Sequence, residues 1–137
     1  MADDATYDAL LRHAADVLHP HRAEDRLFGD VACTLVTDRG DRFSGVCIDT
    51  PCGTGFCAEH AAIAAMVTAR QYRIATIVAV WRDDAGTLFV LQPCGRCREF
   101  IRQIDPENLD TVVVLGRDHG VPLRELLPAH EWPQPVS

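Results

Sequence analysis

The sequence has 137 residues, of which 47% are hydrophobic and 24% are charged. This length fits one domain with a buried core, and we predict a single domain over residues 1–137. The formal charge is −7, with 20 acidic against 13 basic residues. Proteins that bind nucleic acid usually present a basic surface to the phosphates, so we expect a small-molecule substrate and no nucleic-acid partner.

Localisation is predicted from what the sequence lacks. No apolar run approaches the roughly 20 residues that span a bilayer. The first residues, MADDATYDALL, are acidic and lack the basic and apolar segments of a signal peptide. We therefore expect a cytoplasmic protein with no membrane partner. Six cysteines in such a chain indicate metal binding or catalysis rather than disulfides.

The first half of the chain predicts a helix, a hairpin and a second helix. Helical spacing of apolar residues, β-branched and aromatic runs, and glycine-containing turns indicate these elements. They are a helix capped by Thr6 and ending near Leu18, strands at 31–37 and 42–48 joined by a turn at 38–41, and an alanine-rich helix at about 57–70.

The second half predicts buried strands and shorter helices. They are strands at 74–81, 88–91 and 111–115, a helix from about 95 to 104, a turn at 116–120 and a short helix at 123–127. No repeat or linker interrupts this order. The simplest architecture is one mixed α/β domain in which helices cover a central sheet.

Three cysteines stand at the predicted starts of two helices. Cys94 and Cys97 form a C-x-x-C pair whose thiols can face the same point, and Cys57 has an equivalent position in the alanine-rich helix. Helix starts favour thiolates, because unpaired N–H groups and the helix dipole stabilise negative charge. Zinc is the metal that such a set most often holds. Three protein ligands leave a fourth position for water, as in catalytic zinc sites.

Glu59, two residues after Cys57, gives this site a proton carrier. A carboxylate beside an open zinc position can take a proton from water and deliver it to a ring nitrogen of a substrate. The segments CAE and PCGRC have the form of the zinc deaminase signature. Either segment alone would be weak evidence, but both in this order favour a deaminase.

The segments CAEHAAI, PCGRC and RELLPAHEW resemble the cytidine deaminase family, including blasticidin S deaminase. The resemblance implies a three-layer α/β/α sandwich with a five-stranded mixed sheet, one zinc ion per subunit and assembly as a homotetramer. It implies hydrolysis of the C4 amino group of a cytosine-type aminopyrimidine nucleoside, with release of ammonia. Cytidine or deoxycytidine is the default substrate, and blasticidin S or another amino-heterocycle is the alternative.

The resemblance also implies roles for individual residues. Cys57, Cys94 and Cys97 match the family's zinc ligands, and Glu59 matches its proton shuttle. The matches to substrate contacts are the N–H of Ala58, the carbonyl of Gln92, the ring of Phe28 after a one-residue insertion, and Trp132 as an aromatic that covers the pocket.

Three departures from the family matter, and one is the loop Thr50 to Phe56, whose change around a retained zinc centre suggests an altered substrate. Cys47 and Asp49 stand where cytidine deaminases carry the Asn and Glu that hold the ribose hydroxyls. A thiol is a poor hydrogen-bond partner and Asp is shorter than Glu, so we expect altered recognition of the ribose. His60 replaces an Arg that often follows the catalytic Glu. It lies three residues after Cys57, from where it could donate to a thiolate.

Two other functions remain open from the sequence. A closed structural zinc site, made of Cys52 with the three other cysteines, would indicate a binding module, but it leaves Glu59 without a role. A polynucleotide deaminase would need a basic groove and an open pocket mouth, which the acidic composition disfavours.

Overall fold

The computed structural model describes residues 4–137. Three α-helices lie in this part of the chain: α1 (Asp4–Val17), α2 (Ala58–Thr68) and α3 (Gly95–Ile104). The strands are β1 (His21–Ala23), β2 (Arg26–Thr37), β3 (Arg42–Asp49), β4 (Ile74–Arg82), β5 (Leu88–Leu91), β6 (Val112–Gly116) and β7 (His119–Pro122). Short 3-10 helices occupy Pro51–Gly53, Pro106–Asp110 and Leu123–Glu125. None of the described helices is long and apolar enough to cross a membrane.

The strands form one mixed sheet. β2 and β3 make the predicted antiparallel hairpin, and β4 pairs antiparallel with β2. β6 runs parallel to β4, whereas β5 and β7 return antiparallel beside β4 and β6. β4 is buried over most of its length, as expected for a strand covered on both faces.

Helices cover both faces of the sheet, which confirms the predicted three-layer class. Side chains alternate along a strand, so neighbouring residues enter different cores. Cys33 and Leu35 of β2 pack in the core under α2 and α3, whereas Ala32 packs in the core under α1. The sheet itself therefore separates the α1 layer from the layer that carries the cysteine motifs.

A close approach of backbones fixes α2 on the sheet. A Cβ atom on Gly45 of β3 would lie 2.4 Å from the Cβ of Ala61 and 2.5 Å from the backbone nitrogen of Ala62. Only glycine fits at this crossing, because any side chain would displace the helix. The contact holds the first half of α2 against the middle of β3.

Some predicted boundaries were wrong. Residues 4–137 contain seven strands rather than the expected five, because β1 and β7 are too short to show a sequence periodicity. α1 begins at Asp4, so Thr6 lies inside the helix rather than at its cap. β2 begins at Arg26 rather than at residue 31, because an irregularity between Phe28 and Ala32 interrupts its alternation.

Candidate metal centre and substrate cleft

The two predicted helix starts bring three thiols together. The Sγ atom of Cys94 lies 3.7 Å from that of Cys57 and 3.5 Å from that of Cys97. All three sulfur atoms lie within 4.8 Å of one another. Tetrahedral zinc with Zn–S bonds of about 2.3 Å separates its sulfur ligands by roughly 3.8 Å. The thiols therefore fit one zinc ion and could hold it.

Local backbone geometry leaves the sulfur atoms available for a metal. Cys57 and Cys94 are the N-cap residues of α2 and α3, both with extended backbone, and neither side chain caps its helix. An Asp or Ser in these positions would turn its oxygen onto the backbone N–H groups. Cys97 is the third residue of α3 and is fully buried.

The thiols differ in how readily they ionise. Burial alone would raise the pKa of Cys94, but hydrogen bonds from the Cys97 N–H, both neighbouring thiols and the Arg96 N–H lower it. Burial raises the pKa of Cys97, and burial followed by the Cys94 contact raises that of Cys57. Three ionised sulfur atoms therefore need a positive ion, as is usual when thiolates bind a divalent metal.

Glu59 is a buried carboxylate beside the thiols. It is the second residue of α2, and only 6% of it is exposed. Burial raises the pKa of Glu59, while hydrogen bonds from its own N–H and from the Cys97 thiol lower it less. Apolar neighbours such as Ile77 and Leu91 line a small cavity with it. Desolvation of this kind brings a carboxyl group closer to the range in which it can exchange protons.

His60 contacts a cysteine of the other helix. Its Nδ1 lies 3.6 Å from Cys97 Sγ, and its ring stacks on Phe100 with centroids 4.3 Å apart and planes 3° from parallel. Burial and then the charge of Arg96 lower the pKa of His60, which favours the neutral ring. With its proton on Nδ1, the neutral ring can donate to the sulfur atom.

A cleft of about 350 Å³ opens beside Cys57. Cys47 and Asp49 line it, as residues on the same face of β3 two positions apart. Asp30, Phe56 and Arg96 are further lining residues, and the sequence reasoning did not assign the first two to the site.

A bulge in β2 explains why Asp30 was missed. Phe28 pairs with Ile48 and Ala32 with Val46, so residues 29–31 lie opposite Cys47 alone. Gly29 makes this possible with a φ of +76°, which favours glycine. The bulge brings Asp30 to Cys47, whose Sγ donates a hydrogen bond of 2.8 Å to Asp30 Oδ1. Strand alternation could not reveal this contact, whereas Phe56 could have been suspected because it precedes Cys57.

The other four residues predicted to contact the substrate do not line the cleft as a group. Ala58 is the buried first residue of α2, where backbone N–H groups lack helical partners, and Gln92 lies between β5 and Cys94. Phe28 stacks on His21 and does not line the cleft. Trp132 is 63% exposed and lies under the guanidinium of Arg102. The roles of these residues therefore remain predictions.

A closed site of four thiols does not form in the described part of the chain. The group that could hold a metal contains Cys57, Cys94 and Cys97, and Cys52 is exposed outside it. The three-ligand arrangement is the one expected of a catalytic zinc site. This geometry disfavours the structural module.

Comparisons with known proteins agree with this site. Residues 5–115 match the family described as the cytidine and deoxycytidylate deaminase zinc-binding region. Over 103 residues, the chain is 32% identical to blasticidin-S deaminase of Bacillus cereus. This match covers 72% of this chain and 74% of that protein.

Solved structures share the fold. The cytidine deaminase of Bacillus anthracis superposes with a TM-score of 0.68 at 22% identity, over 90% of this chain and 85% of that one. That of Mycobacterium leprae superposes with a TM-score of 0.65 at 22% identity, over 91% of this chain and 96% of that one. The family match covers the whole metal centre. The chain therefore belongs to the cytidine and deoxycytidylate deaminase family.

Proposed function

We propose that this chain is a zinc-dependent hydrolytic deaminase of a cytosine-type aminopyrimidine nucleoside. Cys57, Cys94 and Cys97 hold the zinc ion, and Glu59 carries protons. The observation that carries the proposal is the convergence of three thiols beside a buried carboxylate at the starts of two helices. Family membership and the blasticidin-S deaminase relative support it.

Zinc, when bound, would supply a polarised water molecule at the open fourth position. Glu59 takes a proton from this water and delivers it to the ring nitrogen, so that the C4 carbon is open to attack. The oxygen of the water forms a bond to C4, and Glu59 transfers the second proton of that oxygen to the exocyclic amine. The C4–N bond then breaks, so that ammonia leaves and a C4 carbonyl remains. Burial of Glu59 suits this task, because a raised pKa brings the carboxyl closer to the working pH, where it can both accept a proton and donate it again.

Other residues position the ring. The N–H of Ala58 at the start of α2 donates to the pyrimidine O2, and the carbonyl of Gln92 accepts from the amine. His60 donates to Cys97 and offsets part of the negative charge of the sulfur ligands. The ring of Phe100 stacks on the imidazole and holds it in the orientation of this contact. Phe28 and Trp132 remain proposed aromatic contacts of the ring.

Cytidine and deoxycytidine are the default substrates, with blasticidin S as the alternative. The test is ammonia release from the zinc-loaded protein with these compounds and cytosine. Activity on at least one, lost on chelation and restored by zinc, supports the proposal. A fully zinc-loaded protein that releases ammonia from none of them would contradict it. Light scattering on the same sample tests the expected homotetramer.

A further inference from the structure

The segment that joins β5 to α3 carries reactive groups but belongs to neither element. Residues 92–94 contain the carbonyl of Gln92 and the thiol of Cys94, which the proposed function assigns to the substrate amine and to the metal. Gln92 and Cys94 are exposed, and Pro93 between them is buried. An exposed connection of this kind moves unless side chains of other elements hold it. We propose that Arg98 is the positioning residue that fixes this segment, an inference that rests on the proposed deaminase function.

Arg98 binds the segment through two of its nitrogen atoms. Nε donates a hydrogen bond of 2.8 Å to the carbonyl oxygen of Pro93, and Nη2 donates one of 3.3 Å to Oε1 of Gln92. The Pro93 carbonyl lies in the same planar peptide as the nitrogen of Cys94, so the first bond restricts the backbone that carries the thiol. The second bond holds the side chain of Gln92. The guanidinium therefore restrains both residues that precede the metal ligand.

The third nitrogen atom of Arg98 anchors the guanidinium on the body of the domain. Nη1 donates a hydrogen bond of 3.1 Å to the carbonyl oxygen of Leu126, directly after the 3-10 helix Leu123–Glu125. Leu123 is fully buried in the core, so this turn is fixed. The side chain of Arg98 starts from α3, beside the buried Cys97. Arg98 is thus held at both ends, which allows it to resist a movement of residues 92–94.

The pattern of contacts requires an arginine. In the described part of the chain Arg98 forms no ion pair, although the sequence has 20 acidic residues. Its three hydrogen bonds go to uncharged oxygen atoms instead. A guanidinium has five N–H donors in a fixed planar arrangement and can serve several acceptors at once, whereas the ammonium of lysine is a point charge. Replacement by lysine should therefore keep the charge and lose the bridge.

The test is Arg98→Lys in protein loaded with cobalt(II) in place of zinc, because the visible absorption of cobalt reports the geometry of its sulfur ligands. We expect the absorption bands to shift and the metal to pass to a chelator about fivefold faster than from the unsubstituted protein. In fully zinc-loaded protein, kcat for ammonia release should fall about tenfold, since a small misplacement of positioned groups slows a reaction strongly. The cobalt spectrum is recorded without substrate and is independent of activity.

Arg124→Lys is the matched control. Arg124 lies in the 3-10 helix that precedes Leu126, and it joins that helix to Asp110 rather than to residues 92–94. The control therefore weakens the attachment of the same turn and leaves the contacts of the segment in place. It should keep the cobalt spectrum and the kcat of the unsubstituted protein. A purely structural role of Arg98 would lower the Tm and leave both of these readouts unchanged.

An Arg98→Lys protein with the spectrum, the chelator rate and the kcat of the unsubstituted protein would overturn the inference. Should this variant fail to fold, Gln92→Met gives the second test, because Gln92 is exposed and the change keeps its backbone carbonyl. It removes one acceptor of Arg98 and should shift the cobalt bands, whereas an unchanged spectrum would contradict the inference. The deaminase proposal is judged by ammonia release from the unsubstituted protein, so the two proposals can fail separately.

Discussion

The metal centre and the substrate cleft meet at Cys57 but are built in different ways. The metal centre is made from two short segments at helix starts, where backbone geometry places the sulfur atoms. The cleft is made from the bulge in β2, the end of β3 and the glycine-containing loop that follows β3. The comparison indicates that the reactive groups lie in motifs that the sequence shows directly, whereas the lining of the cleft depends on a strand register that the sequence does not show.

The largest expected effect comes from removing a sulfur ligand. Cys97→Ser should abolish stoichiometric zinc and all activity, because two thiols hold the ion far less well than three. Elemental analysis and ammonia release measure the two losses. Cys52→Ser is the control, since Cys52 is exposed and outside the group, and it should keep both. Full zinc in the Cys97 variant would refute the assigned ligand set.

Glu59→Gln should separate chemistry from metal binding. We expect kcat to fall by about 10³-fold, the scale of general acid–base catalysis, while zinc content and Tm change little. Gln has nearly the same volume and can occupy the buried position. The exposed Glu125→Gln is the control and should keep full activity. Activity within a few fold of normal would exclude Glu59 as the proton carrier.

Gly29→Ala should damage the cleft and spare the metal centre. A Cβ there would lie 2.6 Å from the carbonyl oxygen of His19, at a φ of +76°. We expect a loss of about 1–3 kcal/mol in the free energy of unfolding and weaker binding of substrate in the cleft, with zinc retained. Urea unfolding measures the first effect. Gly40→Ala has a similar φ of +85° but no atom within 4 Å, so it should cost less. Equal losses of unfolding free energy in the two variants would show that the contact with the His19 carbonyl does not contribute.

The smallest effect is expected from Phe100→Leu. Without the stacked ring, His60 is free to turn away from Cys97. We expect zinc affinity to fall by about two- to fivefold, which is less than the loss usually caused by removing a residue that hydrogen-bonds directly to a metal ligand. Competition with a chromogenic chelator measures this. Phe89→Leu, which removes a stack on Trp81, is the control. An unchanged zinc affinity would show that Phe100 does not position the imidazole.

Much of the metal centre was determined by the sequence. The spacing of Cys94 and Cys97 predicts two thiols on one side of a helix start, and the prediction of α3 from residue 95 to 104 was confirmed. Glu59 follows Cys57 by two residues, so a helix that begins at this point places both side chains at its N-terminal end. These relations are local, because a helix fixes the positions of its own neighbours whatever packs around it.

Only the tertiary structure decided which residues share the cleft and which thiol meets His60. Asp30 reaches Cys47 through a bulge, and a bulge changes the face of a strand without a clear signal in the sequence. His60 contacts Cys97 because α2 and α3 pack side by side, a relation that neither segment encodes alone. Local geometry therefore determined the reactive groups, and strand register and helix packing determined what surrounds them.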